Sequence, residues 1–233
     1  NDRIPLARYA FRGVEHRLVA NAPDGSAIHG LIHDRPLAVT DLRADGEMAA
    51  VTLRASLSGD DPGYPFRVSL VVAYELRAGE FTMTFRVTND GDCDAPFALG
   101  WHPYFAASVG ATLQGAFGRF VEVDSALLPT GRVPDVRGGP FDFSDGAPFG
   151  PGLDIGLSAP ADGCVRLHTG RCTVTIRQDV SLFPFTQLYV SDDGQSIAIE
   201  PITAATNSFN RPELGLQVLA PGEQKGGSVR ISL

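Results

Sequence analysis

The chain has 233 residues, 43% of them hydrophobic and 20% charged, enough to bury one large core. Its formal net charge of −8 is offset by no basic stripe, which argues against nucleic acid or an anionic membrane as a partner and reads as simple solubility. No apolar run approaches the roughly 18 residues that cross a bilayer, and the three cysteines are too few, and odd in number, for a disulfide framework.

Those cysteines, Cys93, Cys164 and Cys172, form no CxxC pair that histidines could complete into a zinc site. They read as free thiols in a reducing cytoplasm, and no signal-like segment opens the sequence. The first polar stretch of interest is "AIHGLIHDRP" (27–36), with His29 and His33 beside a glycine. Strands follow: "VTLRASL" (51–57), "FRVSLVVAYEL" (66–76) and "FTMTFRVTN" (81–89) alternate or run apolar with β-branched and aromatic residues. A short link containing Gly79 predicts a hairpin between the last two.

Next comes "LGWHPYFAA" (99–107), with His102 between Trp101 and Pro103, then a predicted strand "RFVEVD" (119–124). Residues 129–163 are rich in Gly and Pro and longer than an ordinary connection, which marks them as a long loop carrying Asp154; Phe141, Phe143 and Phe149 predict that it packs down. "CVRLHT" (164–169), "CTVTIRQ" (172–178), "TQLYVS" (186–191), "SIAIEP" (196–201), "LGLQVL" (214–219) and "SVRISL" (228–233) complete the strands. The turns read "TGR", "DDGQ" and "APGEQKGG". No segment keeps a helical period for three turns. The expectation is an all-β, antiparallel β-sandwich in one domain, with fewer than one residue in ten helical.

Glu200 is the most informative polar residue. In "SIAIE" the alternation puts Ile197 and Ile199 on one face and Ser196, Ala198 and Glu200 on the other, before Pro201 ends the ladder. Small neighbours on its own face leave room for a ligand to reach the carboxylate; an ordinary solvated strand end would look the same. His102 is open to two readings too, a core histidine or an imidazole held among aromatic faces that suit a sugar ring. Together a carboxylate and a histidine permit acid–base catalysis near neutral pH. There is no GxSxG, P-loop, GxGxxG or HExxH, so the common nucleophile, nucleotide and zinc readings lack support.

Five stretches, in order, resemble the aldose 1-epimerases (galactose mutarotases). They are "DRIPLARYAFRGVEHRL", "NAPDGSAIHGLIHDRPL", "GWHPYF", "LLPTGRVPDV" and "IAIEPITAATNSFN". The resemblance implies a large mutarotase-type sandwich, a small sugar as substrate and no cofactor. It gives Arg3, His29 and Asp154 the task of holding sugar hydroxyls, His102 that of general acid on the ring oxygen, and Glu200 that of general base. Its expectation for the working pair is an ionised glutamate beside an imidazolium. Asp2 stands where the family has Asn, and "GLDIGLSAP" lacks the aromatic and Thr that follow the family's aspartate. The family also carries further residues before the matched arginine, which implies strands ahead of Asn1, without which sheet edges would lie bare. His16 and His33 read as surface residues and His168 as a hairpin side chain. Two rivals stand beside this reading. A hexose-6-phosphate epimerase would need a basic cluster, for which Arg8, Arg12, Arg35 and Arg43 are available; a sugar-binding module would need neither His102 nor Glu200.

Overall fold

In the computed structural model, which describes residues 3–107 and 110–233, the alternating segments form antiparallel strands. Among the described residues helix is confined to two 3-10 turns, Pro5–Ala7 and Pro212–Leu214, and no helix is long and apolar enough to cross a membrane. Asp2, one of the positions that departs from the family pattern, lies outside the described residues.

The larger sheet has nine strands. From one edge they run Ala147–Pro148, Thr112–Gln114, Cys164–His168, Thr173–Gln178 and Gln224–Ser232, then Glu80–Asn89, Arg67–Arg77, Met48–Ser58 and Ala38–Ala44. The hairpin at Arg77↔Glu80 closes through Ala78 and Gly79, whose φ of 74° suits the turn. Cys164 faces Arg177 across its ladder while Cys172 precedes the partner strand, so the two do not oppose, and all three cysteines are free.

The smaller sheet has the order Tyr104–Ala106, Ser196–Ile202, Phe185–Val190, Asp154–Ser158. Ile155, Leu157, Leu188, Val190, Ile197 and Ile199 point from it into the same core that Met83, Val165, Leu167 and Ile176 reach from the larger sheet. Burying such side chains, at about 1.5–3 kcal/mol each, holds the two layers together. Three two-stranded ribbons complete the fold: Arg3–Ile4 with Ala27–Ile28, Arg8–Phe11 with Val14–Arg17, and Ala95–Phe97 with Gln217–Leu219.

Several expectations need correction. Residues 119–124 form only isolated bridges, because they lie wedged between Gly156, whose carbonyl accepts the Val121 N–H, and Pro134, whose carbonyl accepts that of Phe120. The stretch 129–163 is not all loop: Asp154 opens a strand, made such by its distant partner Phe185–Val190. The ladder at Glu200 runs on to Ile202. Pro201 tolerates this because its missing N–H would point toward residues 99–103, and on that side its carbonyl accepts the Trp101 N–H. The glycine-rich end of "APGEQKGG" is strand rather than turn, since Gln224–Ser232 pairs along its whole length with Glu80–Asn89. His16 is buried and stacked 5.0 Å from Tyr9, not on the surface. His33 is exposed, and His168 bonds Thr173 across its hairpin.

Candidate active site

The smaller sheet turns its second face to an open cleft of about 290 Å³, at the small end of ligand sites. Strand alternation decides what lies there. One cross-strand row reads Asp154, Tyr189, Ala198, Tyr104, and the next reads Gly156, Gln187, Glu200. Small residues in each row leave the floor low. Gly156 leaves room here, for a Cβ would stand 3.0 Å from Gln187 Oε1 and press on that side chain. That clearance lets the Gln187 amide reach across and donate to Asp154 Oδ1 at 2.6 Å.

His102 enters from the side. Its segment is stitched to the Glu200 strand by Trp101 N–H to Pro201 O (3.1 Å), Thr203 N–H to Leu99 O (2.8 Å) and Leu99 N–H to Thr203 Oγ1 (2.9 Å). The imidazole lies 4.9 Å from the Tyr104 ring, and its Nε2 is 3.1 Å from Glu200 Oε1. Arg3 and His29 come from the ribbon over the cleft, where Arg3 pairs with Ile28. His29 takes a φ of 65°, a left-handed backbone that costs a non-glycine residue about 1 kcal/mol or more. The Asn21 side chain offsets this by clamping both the N–H and the C=O of Ile28. The His29 ring is thereby set 5.8 Å from that of His102.

All five residues singled out from the sequence, Arg3, His29, His102, Asp154 and Glu200, therefore line one cleft. Gln187 joins them without having been expected, since in "TQLYVS" a polar residue alternating outward looks like any solvated strand position. Tyr104 and Tyr189 form one flank, and Ile28, Val121, Val123, Leu127 and Ala205 form an apolar wall.

Burial sets the electrostatics. Glu200 is 1% exposed, its Oε2 is buried with no hydrogen-bond partner among the described residues, and its carboxyl is pushed up to about 8. The same desolvation lowers His102. His29 falls to about 4 through burial, with positive neighbours adding to it, and is neutral at pH 7. Asp154 is raised by burial and held back by the Gln187 amide. Such a pair of opposed shifts in a cleft marks a candidate for proton transfer. Among the described residues no cluster of His, Cys, Asp and Glu could hold a metal ion.

A sequence model of the aldose 1-epimerase family matches residues 2–232. The uncharacterized protein YphB of Escherichia coli K12 is 28% identical over 95% of this chain and 77% of its own length. Galactose mutarotase of Sus scrofa is 24% identical over 96% of this chain and 73% of its own length. Among solved structures, a galactose mutarotase-like protein from Clostridium acetobutylicum superposes with a TM-score of 0.86 at 19% identity, over 99% of this chain and 76% of that one. Galactose 1-epimerase from Lactobacillus acidophilus NCFM does so at 0.83 and 20%, again over 99% and 76%. At such identities the structural likeness speaks for the fold.

Proposed function

The chain belongs to the aldose 1-epimerase family, and we propose that it interconverts the α and β anomers of an uncharged aldose by acid–base ring opening and closure. The observation that carries this is the direct contact of His102 Nε2 with Glu200 Oε1, 3.1 Å apart on the floor of the cleft. Burial raises the carboxyl and lowers the imidazole, so near neutral pH the pair holds one proton between them. The ionised glutamate and imidazolium expected from the resemblance are this same pair with the proton moved across. Burial favours the neutral arrangement at rest.

One proton and one acceptor are what the reaction requires. The shared proton first moves from Glu200 to His102. Glu200 then takes the proton of the C1 hydroxyl while His102 gives its own to the ring oxygen, which leaves the pair in its neutral arrangement. The C1–O5 bond breaks, C1=O1 forms, and rotation about C1–C2 presents the other carbonyl face before the transfers reverse. Arg3, His29 and Asp154, the last braced by Gln187, orient the remaining hydroxyls.

The hexose-6-phosphate reading loses ground, since Arg8 pairs with Glu15, Arg12 with Asp94 and Arg43 with Asp41, and Arg35 borders a different cavity. None of the four lines the cleft. A sugar-binding module would not need a proton-sharing pair. Polarimetry of freshly dissolved α-D-glucose and α-D-galactose tests the proposal: the protein should hasten the drift to the equilibrium rotation. An unchanged drift for these and other aldoses would overturn it.

A further inference from the structure

Arg3 is the one Lys or Arg among the described residues that line the cleft, and it is not left unpaired. Its Nη1 donates to Asp24 Oδ2 at 2.8 Å. Asp24 is itself fixed, with the Ser26 N–H on Oδ1 and the Ser26 hydroxyl on Oδ2, each at 3.0 Å. The loop that carries Asp24 is tied through the Asn21 clamp to Ile28, and Ile28 is the strand partner of Arg3. Backbone and side chain of Arg3 are thus both registered on residues 21–28. Asp24 does not line the cleft, so it acts through Arg3 rather than on a substrate.

The charges have a consequence for what the cleft admits. A guanidinium carries five N–H donors, and Asp24 engages one of its nitrogens, which leaves donors for neutral hydroxyls. An anionic sugar placed against Arg3 would instead meet the Asp24 carboxylate behind it. We propose that Asp24 is a positioning residue for Arg3 and that its charge sets the cleft to prefer uncharged sugars over those bearing a carboxylate or phosphate. This rests on the aldose 1-epimerase reading above. The side chains are 23% (Arg3) and 47% (Asp24) exposed, so solvent screening keeps the effect moderate.

The test is polarimetry on the wild type, Asp24→Asn and Asp24→Glu with D-galactose, D-glucose, D-glucuronate and D-glucose 6-phosphate. Asp24→Asn keeps an acceptor for Ser26 but removes the charge. Its ratio of kcat/KM for anionic over neutral sugar should rise by about two- to five-fold, mainly through KM. Asp24→Glu restores the charge and should return the ratio to the wild-type value even if both KM values rise. A purely structural role would lower both substrates in proportion and leave the ratio unmoved, which would overturn the proposal. Asp24→Ser, which also lacks the charge, gives the same reading should Asp24→Asn not fold. A wild type inactive on every sugar would instead sink the epimerase reading, and is told apart from an active enzyme whose ratio stays put.

Discussion

His102 Nε2 and Glu200 Oε1 lie 3.1 Å apart, and on the proposed reading the two act in one step. Glu200→Gln keeps shape and hydrogen bonding but cannot accept a proton, so anomer interconversion should fall by at least ~10²-fold while sugar binding, read by calorimetry, survives. His102→Asn should match it, and the double variant should be little worse than either. The pH profile of kcat/KM should be bell-shaped. Activity is lost on the alkaline side as the shared proton leaves, through about 8, and on the acid side as a second proton loads onto the lowered His102. Stability follows the same shift. A carboxyl raised in the fold stabilises it fully below the unfolded value of ~4.3, and that contribution is lost as pH rises through about 8. The melting temperature of Glu200→Gln relative to wild type should therefore rise between pH 5 and pH 8, and a flat difference would contradict the raised value. Asp154→Asn should raise KM by ~10-fold or more, the loss of one charge-assisted hydrogen bond, with a smaller effect on kcat. Glu200 could be picked out in the sequence because small Ala198 shares its strand face. Gln187 could not, because its significance lies in Gly156 on another strand, which only folding brings opposite it.

At the scale of strands, the sequence is legible where side chains alternate and illegible where the partner decides. Arg67–Arg77 and Glu80–Asn89 carry their own signal in β-branched and aromatic residues. Asp154–Ser158, with Gly156 at its centre, has almost none and is a strand only because Phe185–Val190 offers it a ladder. Residues 224–227, the start of Gln224–Ser232, read as a turn for a related reason, since their two glycines imitate one, whereas 228–232 alternate as a strand should. The two glycines serve close packing instead. A Cβ on Gly226 would stand 2.7 Å from the Phe85 carbonyl oxygen, a backbone atom that cannot swing aside. Gly226→Ala should therefore destabilise by ~1–3 kcal/mol. Gly46→Ala, where a Cβ meets open space, should stay within about 0.5 kcal/mol of wild type. Equal urea midpoints for the two variants would show that the pairing of Gln224–Ser232 with Glu80–Asn89 is looser than the 2.7 Å approach implies.

Across the whole molecule, the two sheets meet at Trp101, which packs against one and bonds the other. Its ring stacks 5.9 Å from Phe81 of the nine-stranded sheet, while its N–H bonds Pro201 of the four-stranded sheet, next to Glu200. His102 is the following residue. The sequence holds a single tryptophan, so its fluorescence reports the junction beside the His102–Glu200 pair, whereas far-UV circular dichroism is dominated by the larger sheet. Because both layers share one core, neither can lose its partner without exposing apolar surface, and the two signals should follow the same urea transition with one midpoint. A junction that opened first would move the tryptophan signal to lower urea and carry off activity while the strands remained. Activity lost ahead of a single coincident transition would place the weak point in the Arg3–Ile4 and Ala27–Ile28 ribbon, which brings Arg3 and His29 to the cleft from outside the two sheets.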